Sequence, residues 1–265
     1  EKVVRSSAAS MSDVLQLNIF GRTGSEPDGS PYGVKLETFL RASKVKYNVF
    51  SFGEHQLKGA PKGKCPFILR SDLNGGKHLG DSAVIMKLLI EKGEAPDFNS
   101  WLSEGEKATA VAVQALLEDN IYWYGLWVRW ATDLFWSVTY PKFFSPVPWF
   151  LRPIIGFFAR RDTLSQLHGQ GTGRHSEEEL ISFATEKIKA VSTFLGSKKY
   201  MMGDRISMLD FTAFGILATF NAQPWQHPIF ELVRQDPTLK AYVQRMMSEF
   251  FPEMVDADAS KTKDN

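Results

Sequence analysis

Pro66 constrains this chain more than any other residue. It stands between Lys64-Cys65 and the apolar run Phe67-Ile68-Leu69. A proline removes a ladder donor from a strand, so it is accommodated at a strand start or in a cis turn and seldom elsewhere. Residues 67–69 therefore read as a strand opened by X-Pro, Asn74-Gly75-Gly76 as a hairpin turn, and residues 77–79 as the returning strand. Gly80-Asp81-Ser82 follows at the mouth of a helix over residues 82–91, which carries Val84, Ile85, Leu88 and Leu89 at helical spacing. An Asp-Ser pair there sets two acceptor side chains beside unpaired backbone N–H groups, a seat for the charged end of a small peptide. The same pair is also an ordinary helix start that complements the macrodipole, and taken alone that role prevails. Its position after X-Pro and a hairpin tips the balance toward a ligand.

Upstream, residues 14–20 alternate as a half-buried strand through Leu15, Leu17 and Ile19. Residues 21–29 are rich in turn formers. Ser30-Pro31 then opens a helix with Ser at the cap and Pro in the first turn, and residues 46–52 read as a second strand. A short helix fits within residues 55–60. The order strand, helix, strand, strand, strand, helix is a thioredoxin-like layout.

From Trp101 onward the chain offers helices only. Residues 103–121 are helical and continue into an unusually aromatic stretch; Ser145-Pro146-Val147-Pro148 interrupts it, and residues 149–159 form a further apolar piece. Residues 168–175 read as a glycine-rich loop. Ser176 and Glu179 have capping-box spacing, as do Ser207 and Asp210, which cap a buried helix over residues 211–220. A last helix covers residues 239–250. The expected organisation is a flexible tail or added remnant at 1–13, an α/β domain at 14–94, an all-α domain at 100–252 and a tail at 253–265.

With 265 residues, 43% of them hydrophobic, the chain can bury a substantial core. A net charge of +1 argues against a dedicated nucleic-acid binder. One cysteine excludes an intramolecular disulfide and fits a reducing, cytoplasmic compartment. The five histidines show no ligand spacing with Cys65, so no structural metal site is expected.

Ser30-Pro31-Tyr32-Gly33-Val34-Lys35-Leu36-Glu37-Thr38-Phe39-Leu40, Lys62-Gly63-Lys64-Cys65-Pro66-Phe67-Ile68, Asp81-Ser82 and Gly169-Gln170-Gly171-Thr172-Gly173-Arg174-His175-Ser176 occur in this order. The chain thereby resembles a cytosolic glutathione transferase over residues 14–250, and more narrowly the failed-axon-connections and metaxin-related branch of that superfamily. The resemblance implies a thioredoxin-like domain, an all-helical second domain and a homodimer. It implies a cis Pro66, with the Cys65 backbone pairing the cysteinyl part of glutathione, and Asp81 and Ser82 holding the γ-glutamyl end. It places Ser30 where the superfamily keeps its thiol-activating Ser or Cys. Metaxin-like relatives keep the fold and act in membrane protein assembly, so a non-catalytic adaptor is the alternative.

Glutathione transfer needs a thiolate, and a free thiol titrates near ~8.5. A hydroxyl donating to the sulfur and the positive end of the first helix both favour the charged form. Ser30 is placed for both, and Tyr32 is its competitor. The bland role of Ser30 is a helix cap, and that of Cys65 a small buried side chain. Tyr122, Trp123 and Trp127, with Arg174, are candidates for the pocket of an apolar electrophile. A third reading of the aromatics is contact with a membrane surface, through Phe143, Phe144, Trp149, Phe150, Phe157 and Phe158 beside Lys142, Arg152, Arg160 and Arg161. No uncharged run reaches the roughly 20 residues needed to span a bilayer.

Overall fold

The computed structural model describes residues 14–52, 59–222 and 226–255. The N-terminal part is thioredoxin-like. Strand β1 (Leu15–Asn18) pairs in parallel with β2 (Tyr47–Phe50), and helix α1 (Pro31–Ala42) makes the crossover between them. β3 (Phe67–Leu69) runs antiparallel to β1, and β4 (Leu79–Gly80) antiparallel to β3, giving the order β2-β1-β3-β4. Helix α2 (Ser82–Glu91) follows at once. The returning strand, expected over 77–79, is shorter and starts two residues later, because Asn74–Gly76 closes as a 3-10 turn. The expected short helix at 55–60 falls mostly outside the described residues, as do most residues of both tails.

The remainder is helical: α3 (Glu104–Leu116), α4 (Tyr122–Ala131), α5 (Tyr140–Phe143), α6 (Arg152–Gln170), α7 (Glu177–Leu195), α8 (Met208–Ala222), α9 (Pro228–Arg234) and α10 (Pro237–Phe250). Capping boxes start α3 at Ser103/Glu106 and α7 at Ser176/Glu179. Two π-helical segments, Leu117–Ile121 and Phe135–Thr139, interrupt the aromatic region. The glycine-rich stretch is not a loop throughout. α6 runs to Gln170, Gly171 ends it at φ 113°, and Thr172–Arg174 form a 3-10 turn. At the other end, residues 252–255 form a final helical turn with Met254 buried, where a tail was expected from 253.

Two cores meet at α1. Leu36, Phe39 and Leu40 pack with Leu15, Leu17, Ile68, Ile85 and Leu89 of the α/β part. Val34, on the opposite side of the helix, belongs to the helical core around α8. Every residue of α8 from Leu209 to Phe220 is buried, as expected of a helix that is apolar all round. Its Gly215 lets α1 approach so closely that a β-carbon there would run into the Pro31 carbonyl. Lys35 of α1 reaches Glu118 at 2.8 Å across the same seam.

Candidate functional site

The sheet brings the predicted ligand residues to one end. Phe67 pairs with Gly80 and with Asn18, so Cys65-Pro66, Asp81-Ser82 and the segment leaving β1 toward α1 emerge side by side. The Cys65-Pro66 peptide bond is cis. The Cys65 backbone pairs with nothing among the described residues, which leaves a strand edge available to an extended peptide. Burial, reinforced by the negative charge of Asp28, pushes the Cys65 thiol well above its ordinary range. A thiol held in this way is a poorer nucleophile than an exposed cysteine.

Asp81 caps α2. Its Oδ1 accepts from the amides of Ala83 at 3.1 Å and Val84 at 3.4 Å, and its Oδ2 from Lys62 Nζ at 2.9 Å. Burial raises its pKa, but the Lys62 ammonium and the two amides outweigh burial and hold the carboxyl below the ordinary value. These donors also hold a strained backbone: φ is +83° at this non-glycine residue. Both roles weighed for Asp81 therefore involve one carboxylate, which is a cap and carries a displaceable, exposed lysine. Ser82 is buried, and its hydroxyl has no partner among the described residues. It sits in the first turn of α2, where helix N–H groups lack intrahelical acceptors.

Ser30 occupies the N-cap position of α1 with extended backbone (φ −99°, ψ 125°), yet its hydroxyl makes no capping bond. The capping role is thus not exercised, and the hydroxyl has no partner among the described residues at the positive end of the helix. Tyr32 differs. Its ring packs edge-on against Tyr122 at 5.1 Å. Burial raises its pKa well beyond the ordinary range, and Tyr122, Glu118, Asp119 and Asp81 add to that.

The aromatic candidates separate. Tyr122 joins Tyr32 and Trp123, at 5.5 Å from the latter. Trp127 turns away to the imidazole of His227 at 6.2 Å. Arg174 is exposed in the 3-10 turn and donates to the His168 carbonyl at 2.9 Å.

A buried polar cluster under the first turn of α1 escaped the sequence reading. Glu26 and Asp28 are 0% exposed. Glu26 Oε1 accepts from the amides of Thr23 and Gly24 at 2.9 Å each, and Asp28 Oδ1 from the Gly21 amide at 2.7 Å. Oε2 of Glu26 and Oδ2 of Asp28 have no hydrogen-bond partner among the described residues. Gly33 faces Asp28 so closely that a β-carbon there would lie 1.7 Å from Oδ2. Arg129 of α4 is buried nearby and donates to the Gly29 carbonyl at 2.8 Å. A lone arginine inside an apolar helix was the available signal, since a buried cation demands acidic company.

Burial is the largest influence on Asp28 and, with Glu26 and Glu37, raises its pKa well above normal against the amides of Gly21 and Ser30. The folded state holds this proton more tightly than the unfolded chain. Stability is therefore fullest below the ordinary carboxylate range and declines as pH rises toward the raised value. Asp28→Asn keeps the shape of the protonated acid and has no proton to lose. Its Tm is expected to exceed the parent's at mildly alkaline pH and to converge with it in acid; parallel melting curves against pH would instead mean an ionised Asp28.

Two family models match the chain: the glutathione S-transferase N-terminal domain over residues 31–135, and the glutathione S-transferase C-terminal domain over residues 184–246. An isoprene-epoxide glutathione S-transferase of Rhodococcus is 31% identical over 84% of this chain and 94% of that protein. Failed axon connections of Drosophila melanogaster is 29% identical over 91% of this chain, which spans 59% of that protein's length. A metaxin-2 homologue of Caenorhabditis elegans is 26% identical over 69% of this chain and 77% of its own. A β-etherase of Sphingobium has the same fold, with a TM-score of 0.60 at 16% identity over 92% of this chain and 99% of its own. A Pseudomonas fluorescens glutathione transferase family member, solved with two glutathione molecules, has a TM-score of 0.55 at 15% identity over 94% of each chain. By its two matched domains, its fold and these relatives, the chain belongs to the glutathione S-transferase superfamily, in the branch that includes failed axon connections and the metaxins.

Proposed function

We propose that this protein binds glutathione and joins it through its sulfur to an apolar electrophile, with a small epoxide as the first class to test. The epoxide is suggested by the Rhodococcus relative, whose name specifies one. The observation that carries the reading is the set of uncommitted groups at one end of the sheet: the Cys65 backbone, the Ser82 hydroxyl and the Ser30 hydroxyl. A fold serving only as scaffold gains nothing by leaving such groups unpaired.

On this reading the Cys65 backbone aligns the tripeptide as an added strand, and Ser82 with the first turn of α2 receives the γ-glutamyl carboxylate. Asp81 exchanges Lys62 for the ligand's ammonium. Ser30 donates to the sulfur and, with the α1 dipole, lowers the thiol pKa. The thiolate attacks a ring carbon of the epoxide, the C–O bond breaks, and the alkoxide takes a proton from water. Tyr122 and Trp123 border the electrophile's side. A homodimer and a cytoplasmic location accompany this reading and are tested by sedimentation and cell fractionation.

Calorimetric titration of glutathione is the deciding experiment. Ser82→Ala is expected to weaken binding roughly tenfold. Ser30→Ala is expected to bind glutathione almost as well, lose about a hundredfold in kcat/KM toward epoxides and shift the pH profile upward. No heat with the parent at millimolar glutathione would overturn the reading and favour the adaptor, for which the exposed face of α6 is the specific support.

A further inference from the structure

Helix α6 reverses the usual arrangement of an amphipathic helix. Its inward stripe is Gly156, Thr163 and Leu167, with Gly156 seated against the Tyr140 ring. Outward, Ile154, Phe157 and Phe158 share one face at i, i+3 and i+4 and are 55%, 54% and 59% exposed. The turn before the helix adds Trp149 at 78% and Phe150 at 59%. Nine of the thirteen large hydrophobic residues exposed among the described residues lie within 136–164. Single exposed apolar residues need no explanation, but a contiguous patch of this kind marks a contact surface. Phe143 and Phe144, counted with this surface from sequence, are instead packed beneath it around Trp130 and Phe135.

The charges around the patch identify what it meets. Lys142, Arg152, Arg160 and Arg161 lie in the same segment, and Asp162 is the one acid within 136–164. Lys142 donates to the Thr23 carbonyl, Arg152 to those of Val147 and Ser145, and Arg160 to those of Trp130 and Ala131. Carbonyls fix these side chains in direction without cancelling their charge. None of the four forms an ion pair with a carboxylate among the described residues. The surface thus combines aromatic rings with cations that no carboxylate among the described residues neutralises.

We propose that α6 and the turn before it dock on the interfacial layer of an anionic lipid bilayer. Aromatic rings favour the headgroup boundary, and cations beside them are drawn to acidic lipids. No described helix is long and apolar enough to cross a membrane, and the second half of α6 turns polar at Ser165, Gln166, His168 and Gln170, so the helix lies on the surface. At that polar end Gln166 accepts from Lys64 Nζ at 3.2 Å. The proposal stands on the surface alone and does not depend on transferase activity.

Flotation of the full chain with phosphatidylcholine vesicles, with and without about 30% phosphatidylserine, is the test. The parent is expected to float with the anionic vesicles, less so as salt rises. Trp149→Ser with Phe158→Ser is expected to cut the bound fraction roughly tenfold or more. Arg161→Glu is expected to weaken binding to anionic vesicles about fivefold and to leave neutral vesicles unaffected. All three positions are exposed, so melting temperature and glutathione titration serve as fold controls. A parent that stays in the lower fractions with both vesicles overturns the proposal. So does a double variant that floats like the parent, or one that converts a dimeric parent to monomer, which would make the face an interface between copies.

Discussion

Asp210→Ala should cost about 3–5 kcal/mol of folding stability, more than any other single substitution considered for this chain. Asp210 is 0% exposed, and both its oxygens are occupied. Oδ1 accepts from the Met201 amide at 2.7 Å and from the Tyr242 hydroxyl at 3.1 Å. Oδ2 accepts from the amide and hydroxyl of Ser207 at 2.9 and 2.7 Å. Burial is the larger influence and raises the Asp210 pKa despite these donors. Alanine would leave buried donors without acceptors, and an unmet buried donor costs more than a formed bond gains. Asp210→Asn should recover only part of the loss, because its NH2 must face donors on one side. Urea unfolding at constant m-value is the measurement. A loss below about 1 kcal/mol would mean that water replaces the carboxylate.

The second large effect is expected at Gly215. An added β-carbon meets the Pro31 carbonyl and lies 3.2 Å from the Lys35 amide nitrogen, and neither backbone atom can rotate away. α1 and α8 must separate, so Gly215→Ala should cost about 2–4 kcal/mol, at the upper end of overpacking. Pro31 follows Ser30 directly, so the same shift disturbs the candidate site, and glutathione affinity should fall together with Tm. Calorimetric titration below the melting point separates the two effects. Unchanged affinity would show that the first turn of α1 is not part of the ligand seat.

Much of this architecture was legible in the sequence because its determinants are local. The alternation of Leu15, Leu17 and Ile19, the X-Pro at the start of β3 and the reciprocal spacing of Ser176 with Glu179 each specify their element without distant help. The returning strand starts two residues late because Gly75, at φ +63°, lets the 3-10 turn take up chain that alternation alone assigns to the strand. The cluster under α1 could not be read this way. Residues 21–29 look like a solvated turn, and what buries Glu26 and Asp28 is a set of loop amides together with an arginine lying 100 residues beyond Gly29. The aromatic helices posed a different difficulty. Where rings occur on every face, periodicity loses its contrast, and nothing local distinguishes Trp127, turned to His227, from Trp149, exposed to solvent.

The sharing of α1 between two cores bears on how such a chain can diversify. The junction at residues 94–100 looks like a place where halves could be exchanged between relatives. Yet Val34 completes the packing of one half and Leu36 that of the other, and Gly215 is small only because Pro31 is there. A recombinant inheriting its halves from different parents would inherit a mismatched seam, whereas changes in surface loops would pass unnoticed. A substitution on one side of this seam is therefore expected to need a compensating change on the other, across α1 and α8.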